Sequence, residues 1–318
     1  MKRIGILRGG VSPEYHFSLK TGAHVQRALE AAGFEAIDML LDKEGVLHIK
    51  GIPADLEKAQ ASVDMIWNAL HGEFGEDGKI QELFEQYGIP YSGSGKLTSG
   101  LAFNKATAKE QAKSIGLNVP PHLLVIPEGD ESVSEITGNI YRTMAPPWVL
   151  KPLRGGGSFK THFAFTPLEL AQVVEECVAH RQPFIAEQYI FGTEAAVGVI
   201  NNFRNQETYV LPVVEVHSPL RGILSHDMRA GEQPYTSIRG SLRASEREQL
   251  SEYAKQLHHV FGADDYSQSE FIVDKNGKIW FIELDTQPHI HEESPFLVAL
   301  KSVGATLTEF VKNIVEKK

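Results

Sequence analysis

The chain has 318 residues, with 31 Lys+Arg against 41 Asp+Glu, a net charge of −10 and a single cysteine. Apolar residues at 42% predict a packed globular protein of about two domains and exclude a disordered or fibrous chain. The acidic balance excludes a general nucleic-acid binder, and the lone Cys177 excludes a disulfide framework and a multi-cysteine zinc site, which suits a cytoplasmic location.

From the N-terminus, Arg3 to Leu7 reads as a short buried strand ending in Arg8-Gly9-Gly10, too brief an apolar run for a signal peptide. Phe17 to Ala32 is amphipathic, with Leu19, Val25, Leu29 and Ala32 on one face, and Gly33 stops it. Ala36 to Leu40 and Asp64 to Leu70 are further strands, so the alternation predicts a parallel α/β sheet. Gly78 to Tyr87 reads as a helix and Gly93-Ser94-Gly95 as a linker, which bounds an N-terminal domain at residues 1–95. A helix is predicted from Leu97 to Ser114, strands at Trp148 to Leu150 and Thr161 to Phe165, and a helix from Pro167 to His180 capped by Thr166. Phe184 to Gln188, Glu194 to Ile200 and Tyr209 to Val216 read as strands, residues 217–240 as a long polar loop, and Glu246 to Val260 and Ala305 to Val315 as helices. No apolar run is long enough to cross a membrane.

The stretch from Glu270 to Asp285 carries the most chemistry. Two alternating runs flank Asn276-Gly277, a hairpin signal. A two-residue turn pairs Lys275 with Lys278 and so sets Glu270 opposite Glu283, with Asp285 on the same face. Phe271, Val273, Trp280 and Ile282 then form the core face. Like charges facing one another are destabilising, and a divalent cation relieves them; hard oxygen donors suit Mg²⁺. The other reading of this face is a solvated acidic one.

Earlier, a strand delivers Lys151 into the loop Arg154-Gly-Gly-Gly-Ser158, which reads as a phosphate cradle or as a plain flexible loop. The Walker spacing is absent. Glu187 and Glu194 flank the Tyr189-Ile190 backbone, an arrangement that fits a nucleoside or an ordinary surface. Gly9-Gly-Val-Ser-Pro-Glu14 and His71-Gly-Glu-Phe-Gly-Glu-Asp-Gly78 both follow strand ends, where open α/β sheets bind ligands.

Together these segments resemble the D-alanine–D-alanine ligase family of the ATP-grasp superfamily. The matching segments run in family order: Gly9-Gly10-Val-Ser-Pro-Glu14 with Ser18, His71-Gly through Gly75-Glu-Asp-Gly78, and Ile89-Pro-Tyr-Ser-Gly-Ser-Gly95 with Asn104-Lys105. The resemblance implies an N-terminal α/β domain followed by a two-lobed ATP-grasp fold, with a small lobe at 96–182 and a large lobe at 183–318. It implies ATP and Mg²⁺ (or Mn²⁺) and amino-acid substrates, and suggests a homodimer. Lys105, Lys151, Gly156, Gly157, Ser158 and Ile282 fall on the nucleotide, Glu187, Tyr189 and Ile190 beside adenine, and Glu194 beside the ribose. Glu270, Glu283 and Asp285 fall at the metal. Glu14, Ser18, His71, His289 and Ser294 fall on the substrate side, with Ser158 also in a catalytic position. The implied activity joins D-alanine to D-alanine through an acyl phosphate; the alternatives are another amino-acid or hydroxy-acid acceptor, or an ATP-binding homologue without turnover. The departures lie on the acceptor side. Gln268 stands where the family has an arginine, His289 where it has a glycine, and Met228-Arg229 where it has Lys-Tyr, so Arg229 is the candidate replacement cation.

Overall fold

In the computed structural model, residues 1–127, 131–156, 160–217, 236–238 and 240–318 are described. The N-terminal sheet consists of β1 (Arg3–Gly9), β2 (Glu35–Leu41), β3 (Leu47–Ile49), β4 (Ile52–Ala54) and β5 (Met65–Asn68), in the order β4-β3-β2-β1-β5. Its helices are α1 (Tyr15–Ala31), α2 (Leu56–Ser62) and α3 (Lys79–Gln86). Only β1, β2 and β5 are mutually parallel; β3 and β4 extend the sheet as an antiparallel hairpin. That hairpin escaped the sequence reading because its strands are three residues long. Its turn, Lys50-Gly51, has positive φ at both residues, the geometry that matches strand twist. In α1 the inward side chains Phe17, Thr21, Val25, Ala28 and Leu29 recur at helical spacing, and Gly33 at φ 86 ends the run.

The predicted helix from Leu97 to Ser114 is two helices, α4 (Lys96–Phe103) and α5 (Lys105–Ser114). Asn104 separates them: its backbone is extended, and its side chain accepts from the N–H groups of Ala106 and Thr107. Sequence grouped this pair with the glycine-loop lobe. In the structure Ala102, Ala108 and Ala112 pack instead against Phe271, Phe281 and Leu284 of the C-terminal sheet.

A four-stranded antiparallel sheet follows, made of β6 (His122–Val125), β7 (Trp148–Pro152), β8 (His162–Ala164) and β9 (Phe184–Gln188) in the order β6-β9-β7-β8. It packs on α6 (Val133–Thr143), a helix with a Ser132/Glu135 capping box, and on α7 (Pro167–Ala179), capped by Thr166 as predicted.

The third sheet is six-stranded and antiparallel. Its strands are β10 (Gly192–Phe203), β11 (Gln206–Val210), β12 (Val214–His217), β13 (Thr236–Ile238), β14 (Tyr266–Asp274) and β15 (Ile279–Asp285), with α8 (Ala244–Val260) packed on it. The strand expected from Tyr209 to Val216 is divided between β11 and β12, because Leu211-Pro212-Val213 leaves the ladder. Two last helices, α9 (Pro295–Ser302) and α10 (Leu307–Val315), return to the N-terminal sheet. Trp67, Tyr266, Phe296 and Phe310 interlock there, so residues near both ends of the chain share one core. No helix is long and apolar enough to cross a membrane among the described residues.

Candidate active site

A cleft lies between the loop after β7 and the β14–β15 hairpin, and the loops that follow β1 and β5 close one end of it. The hairpin fixes its acidic floor. Glu270 lies opposite Glu283, as expected, but by a different route. The turn is three residues long, because Asp274 pairs with Lys278: Asp274 N–H donates to Lys278 O at 3.0 Å, and Gly277 takes φ +80. An extra residue, Ile282, then bulges out of β15 and restores the register. The bulge also corrects the face assignment. Ile279, Phe281 and Leu284 enter the core beside Phe271 and Val273, whereas Ile282 lines the cleft. Trp280 is half-buried outside that core, with its indole N–H on Asp274.

Burial and crowding shape the carboxyls. Burial pushes the Asp285 carboxyl well above its ordinary value, and Glu76, Glu283 and Glu270 push it further. Burial and then Glu14 do the same to Glu76. Such groups favour the arrival of cationic charge.

Three lysines oppose these acids. Glu187 on β9 is ion-paired to Lys109 at 3.0 Å and to Lys151 at 3.1 Å. Burial disfavours its charge, yet the two lysines outweigh burial and hold the carboxyl at about 2. Burial also opposes the charge on Lys151, but Glu187 and Glu283 override it and raise its affinity for the proton. Lys105 stands at the first residue of α5. Its N–H donates to Leu153 O at 3.0 Å and its ammonium to Gly155 O, which ties it to the start of the glycine loop. Burial lowers its pKa, and Glu283 works against that.

Lys109 was missed by the sequence reading, although its signal was present: it lies one helical turn after Lys105, on the same face. Its side chain is 0% exposed. Glu76 was seen only as part of a motif. It accepts from His71 Nδ1 at 3.1 Å. Thr21 accepts from Ile290 N–H at 3.3 Å and donates to His71 Nε2 at 2.9 Å. Burial holds the imidazole neutral, with a pKa of about 4, which fits a proton on Nδ1.

The cleft lining contains Glu14, Lys105, Lys151, Gly156, Glu187 and Glu194, and also Gln268, Ile282, His289 and Ser294. Tyr189 and Ile190 line it too, but the Tyr189 N–H already donates to Pro147 O at 2.8 Å, so that amide is engaged within the protein and does not read a ligand edge. Two expected substrate residues are not on the lining. Ser18 is consumed structurally, accepting from Gly9 N–H and donating to Ala69 O, both at 2.7 Å. His71 stands behind the wall, braced as above. Ser294 caps α9 and donates to His291 O. Gly157, Ser158, Met228 and Arg229 lie outside the described residues.

A divalent ion fits this donor set in kind, since Glu270, Glu283 and Asp285 offer only hard oxygen. Among the described residues no three His, Cys, Asp or Glu side chains are placed to hold a metal ion by themselves. Mg²⁺ characteristically takes one or two carboxylates together with substrate phosphates, so an open protein half-shell is what it needs.

Comparison with known proteins places this geometry. Residues 112–316 match the family model for the D-ala D-ala ligase C-terminus and residues 50–94 that for its N-terminus. The D-alanine–D-alanine ligase of Aquifex aeolicus is 31% identical over 317 residues, covering 98% of this chain and 99% of that protein. D-alanyl-alanine synthetase A from Vibrio cholerae shares the fold, with a TM-score of 0.85 at 22% identity over 99% of this chain and 98% of that chain. The Bacillus anthracis D-alanine–D-alanine ligase complexed with ATP has a TM-score of 0.80 at 23% identity, over 99% and 97% of the two chains. The architecture of three sheets around a cleft is therefore the ATP-grasp fold, and the chain belongs to the D-alanine–D-alanine ligase family of ATP-dependent carboxylate–amine ligases.

Proposed function

We propose that this protein condenses two D-alanine molecules into D-alanyl-D-alanine for peptidoglycan synthesis, at the expense of ATP. The observation that carries the reading is the opposition, across one cleft, of Lys105 and Lys151 to the acidic hairpin face of Glu270, Glu283 and Asp285. On this reading residues 1–95 act as the amino-acid domain, the β6–β9 sheet as the small lobe, and the β10–β15 sheet with α4 and α5 packed on it as the large lobe, and the enzyme works in the cytoplasm as a homodimer.

A carboxylate oxygen of the first D-alanine attacks the γ-phosphorus of ATP, and ADP leaves. The amine of the second D-alanine then attacks the acyl carbon, loses a proton and expels phosphate. Lys105 and Lys151 neutralise phosphate charge as it redistributes, and Gly156 permits close approach of the loop. Ile190 and Ile282 supply apolar surface for the base, and Glu194 an acceptor for the ribose. Glu270, Glu283 and Asp285 would hold Mg²⁺, which supplies Lewis-acid polarisation of the phosphates when bound. Glu187 does not approach the nucleotide as a free acceptor; it orients Lys151 and Lys109.

The test is ADP release with Mg²⁺-ATP across D- and L-amino acids and hydroxy acids, with the product identified by mass spectrometry. D-alanine is expected to give the dipeptide, and Glu283→Gln to reduce turnover by about 100-fold or more. If another acceptor gives the product and D-alanine gives none, the substrate assignment fails and the reaction class stands.

A further inference from the structure

We propose that His289 sets specificity in the carboxylate-activating half-reaction: its imidazole occupies the buried acid that the α-ammonium of an incoming amino acid needs. This deepens the ligase reading and rests on it. An α-ammonium entering a low-dielectric cleft requires an anionic partner. The N-terminal wall offers Glu14 and Glu76. Glu76 is committed to His71, and burial beside Glu14 favours its neutral form. Glu14 is the remaining acid on that wall, and His289 Nε2 donates to its Oε2 at 3.0 Å. Its other oxygen faces Gly156, where a Cβ would come within 2.8 Å of it.

The imidazole is held in place rather than resting on the surface. It stacks on Phe17 with centroids 4.6 Å apart and an interplanar angle of 21°, and meets the His71 ring edge-on at 4.3 Å. The next residue is tied down, since Ile290 N–H donates to Thr21. Only 14% of the His289 side chain and 4% of the Glu14 side chain are exposed. An ammonium arriving here must share Glu14 with a fixed N–H donor or displace it. A neutral α-hydroxyl, which donates and accepts, meets the same pair without bringing a positive donor onto a carboxylate that already holds an N–H. The expected consequence is weak discrimination by the wild-type protein between 2-amino and 2-hydroxy acids as the activated carboxylate.

The full-length protein is assayed with Mg²⁺-ATP and hydroxylamine, with D-alanine or D-lactate as the sole acid. Hydroxylamine nitrogen attacks the acyl phosphate carbon, phosphate leaves, and the hydroxamate is counted. His289→Gly and His289→Ala should each raise the ratio of kcat/KM for D-alanine over D-lactate by at least about tenfold, through a lower KM for D-alanine. His289→Asn, which keeps an N–H donor, should stay near the wild-type ratio. An unchanged ratio in both truncations, or equal loss with both acids, overturns the inference. If the wild-type protein forms hydroxamate from D-alanine in that case, the ligase reading survives. If it forms none from either acid, both readings fall.

Discussion

At the scale of single residues, Gln268 is one of the positions where the sequence is expected to depart from the family pattern. Gln268 sits opposite Asp285 in the hairpin. Its side-chain nitrogen reaches Glu270 at 3.4 Å, and its buried oxygen has no hydrogen-bond partner among the described residues. An unpaired acceptor is costly, and a site short of one positive donor stabilises a developing oxyanion less. Gln268→Arg should therefore raise kcat for dipeptide formation by at least about tenfold, measured by coupled ADP release; an unchanged kcat would remove Gln268 from the chemistry. Glu187 and His71 each lose a stabilising contribution in acid. The folded pKa of Glu187 lies below its ordinary 4.5, at about 2, so its contribution to stability is complete above 4.5 and lost as pH falls toward 2. His71 is held neutral, down from 6.5 to about 4, so its contribution is complete above 6.5 and lost as pH falls through 4. The contribution of this pair to the urea midpoint should thus fall between pH 6.5 and 4 with His71 and again below 4.5 with Glu187, read as the difference in midpoint between wild type and His71→Gln or Glu187→Gln, since the raised Asp285 and Glu76 carboxyls add stability in the opposite direction as pH falls. Lys151, Glu270 and His289 could be singled out because their positions next to motifs are visible in one dimension. The pairing of Lys109 with Glu187 was not legible, because it joins α5 to β9 across the cleft and nothing in the spacing of either element announces the other.

At the scale of elements, the hairpin shows how a sequence rule can succeed for the wrong reason. Asn276-Gly277 predicted a two-residue turn and the Glu270–Glu283 pairing. Asp274 instead accepts from the N–H groups of Asn276 and Lys278, which winds in a third residue, and the Ile282 bulge cancels the offset. The carboxylates were placed correctly, but Trp280 and Ile282 were assigned to the core, since alternation counts through a bulge as though it were absent. The division between α4 and α5 was hidden for a similar reason: helix propensity runs straight through Asn104, and only its capping bonds reveal the break. Asn104→Ala should cost about 1 kcal/mol of stability, as lost caps do. It should also raise KM for ATP, because Lys105 follows the cap directly. A thermal melt and an ATP titration of the variant check both; an unaltered KM would separate the cap from the placement of the lysine.

At the scale of the whole molecule, three sheets meet at one cleft and two of them share a core. Ile4, Ile6 and Leu29 from the start of the chain pack with Leu297, Phe310 and Ile314 from its end. Composition predicted more than one unit, but no local pattern could show that the first and last segments close on each other, since that contact depends on the topology of the whole chain. The loop after β7 meets this joined body at Gly156, against Glu14 and Glu76. A methyl group at this position would press on the Glu14 carboxylate, since a Cβ at 156 would lie 2.8 Å from one of its oxygens. A side chain at 156 would act as a spacer and admit water to an acyl phosphate that must wait for an amine. Gly156→Ala should consequently leak: ADP release in the presence of D-alanine continues while the yield of dipeptide per ATP drops, by about half or more, as measured by paired ADP and dipeptide quantification. The fidelity of the ligation, as distinct from its speed, then resides in a residue with no side chain to contribute.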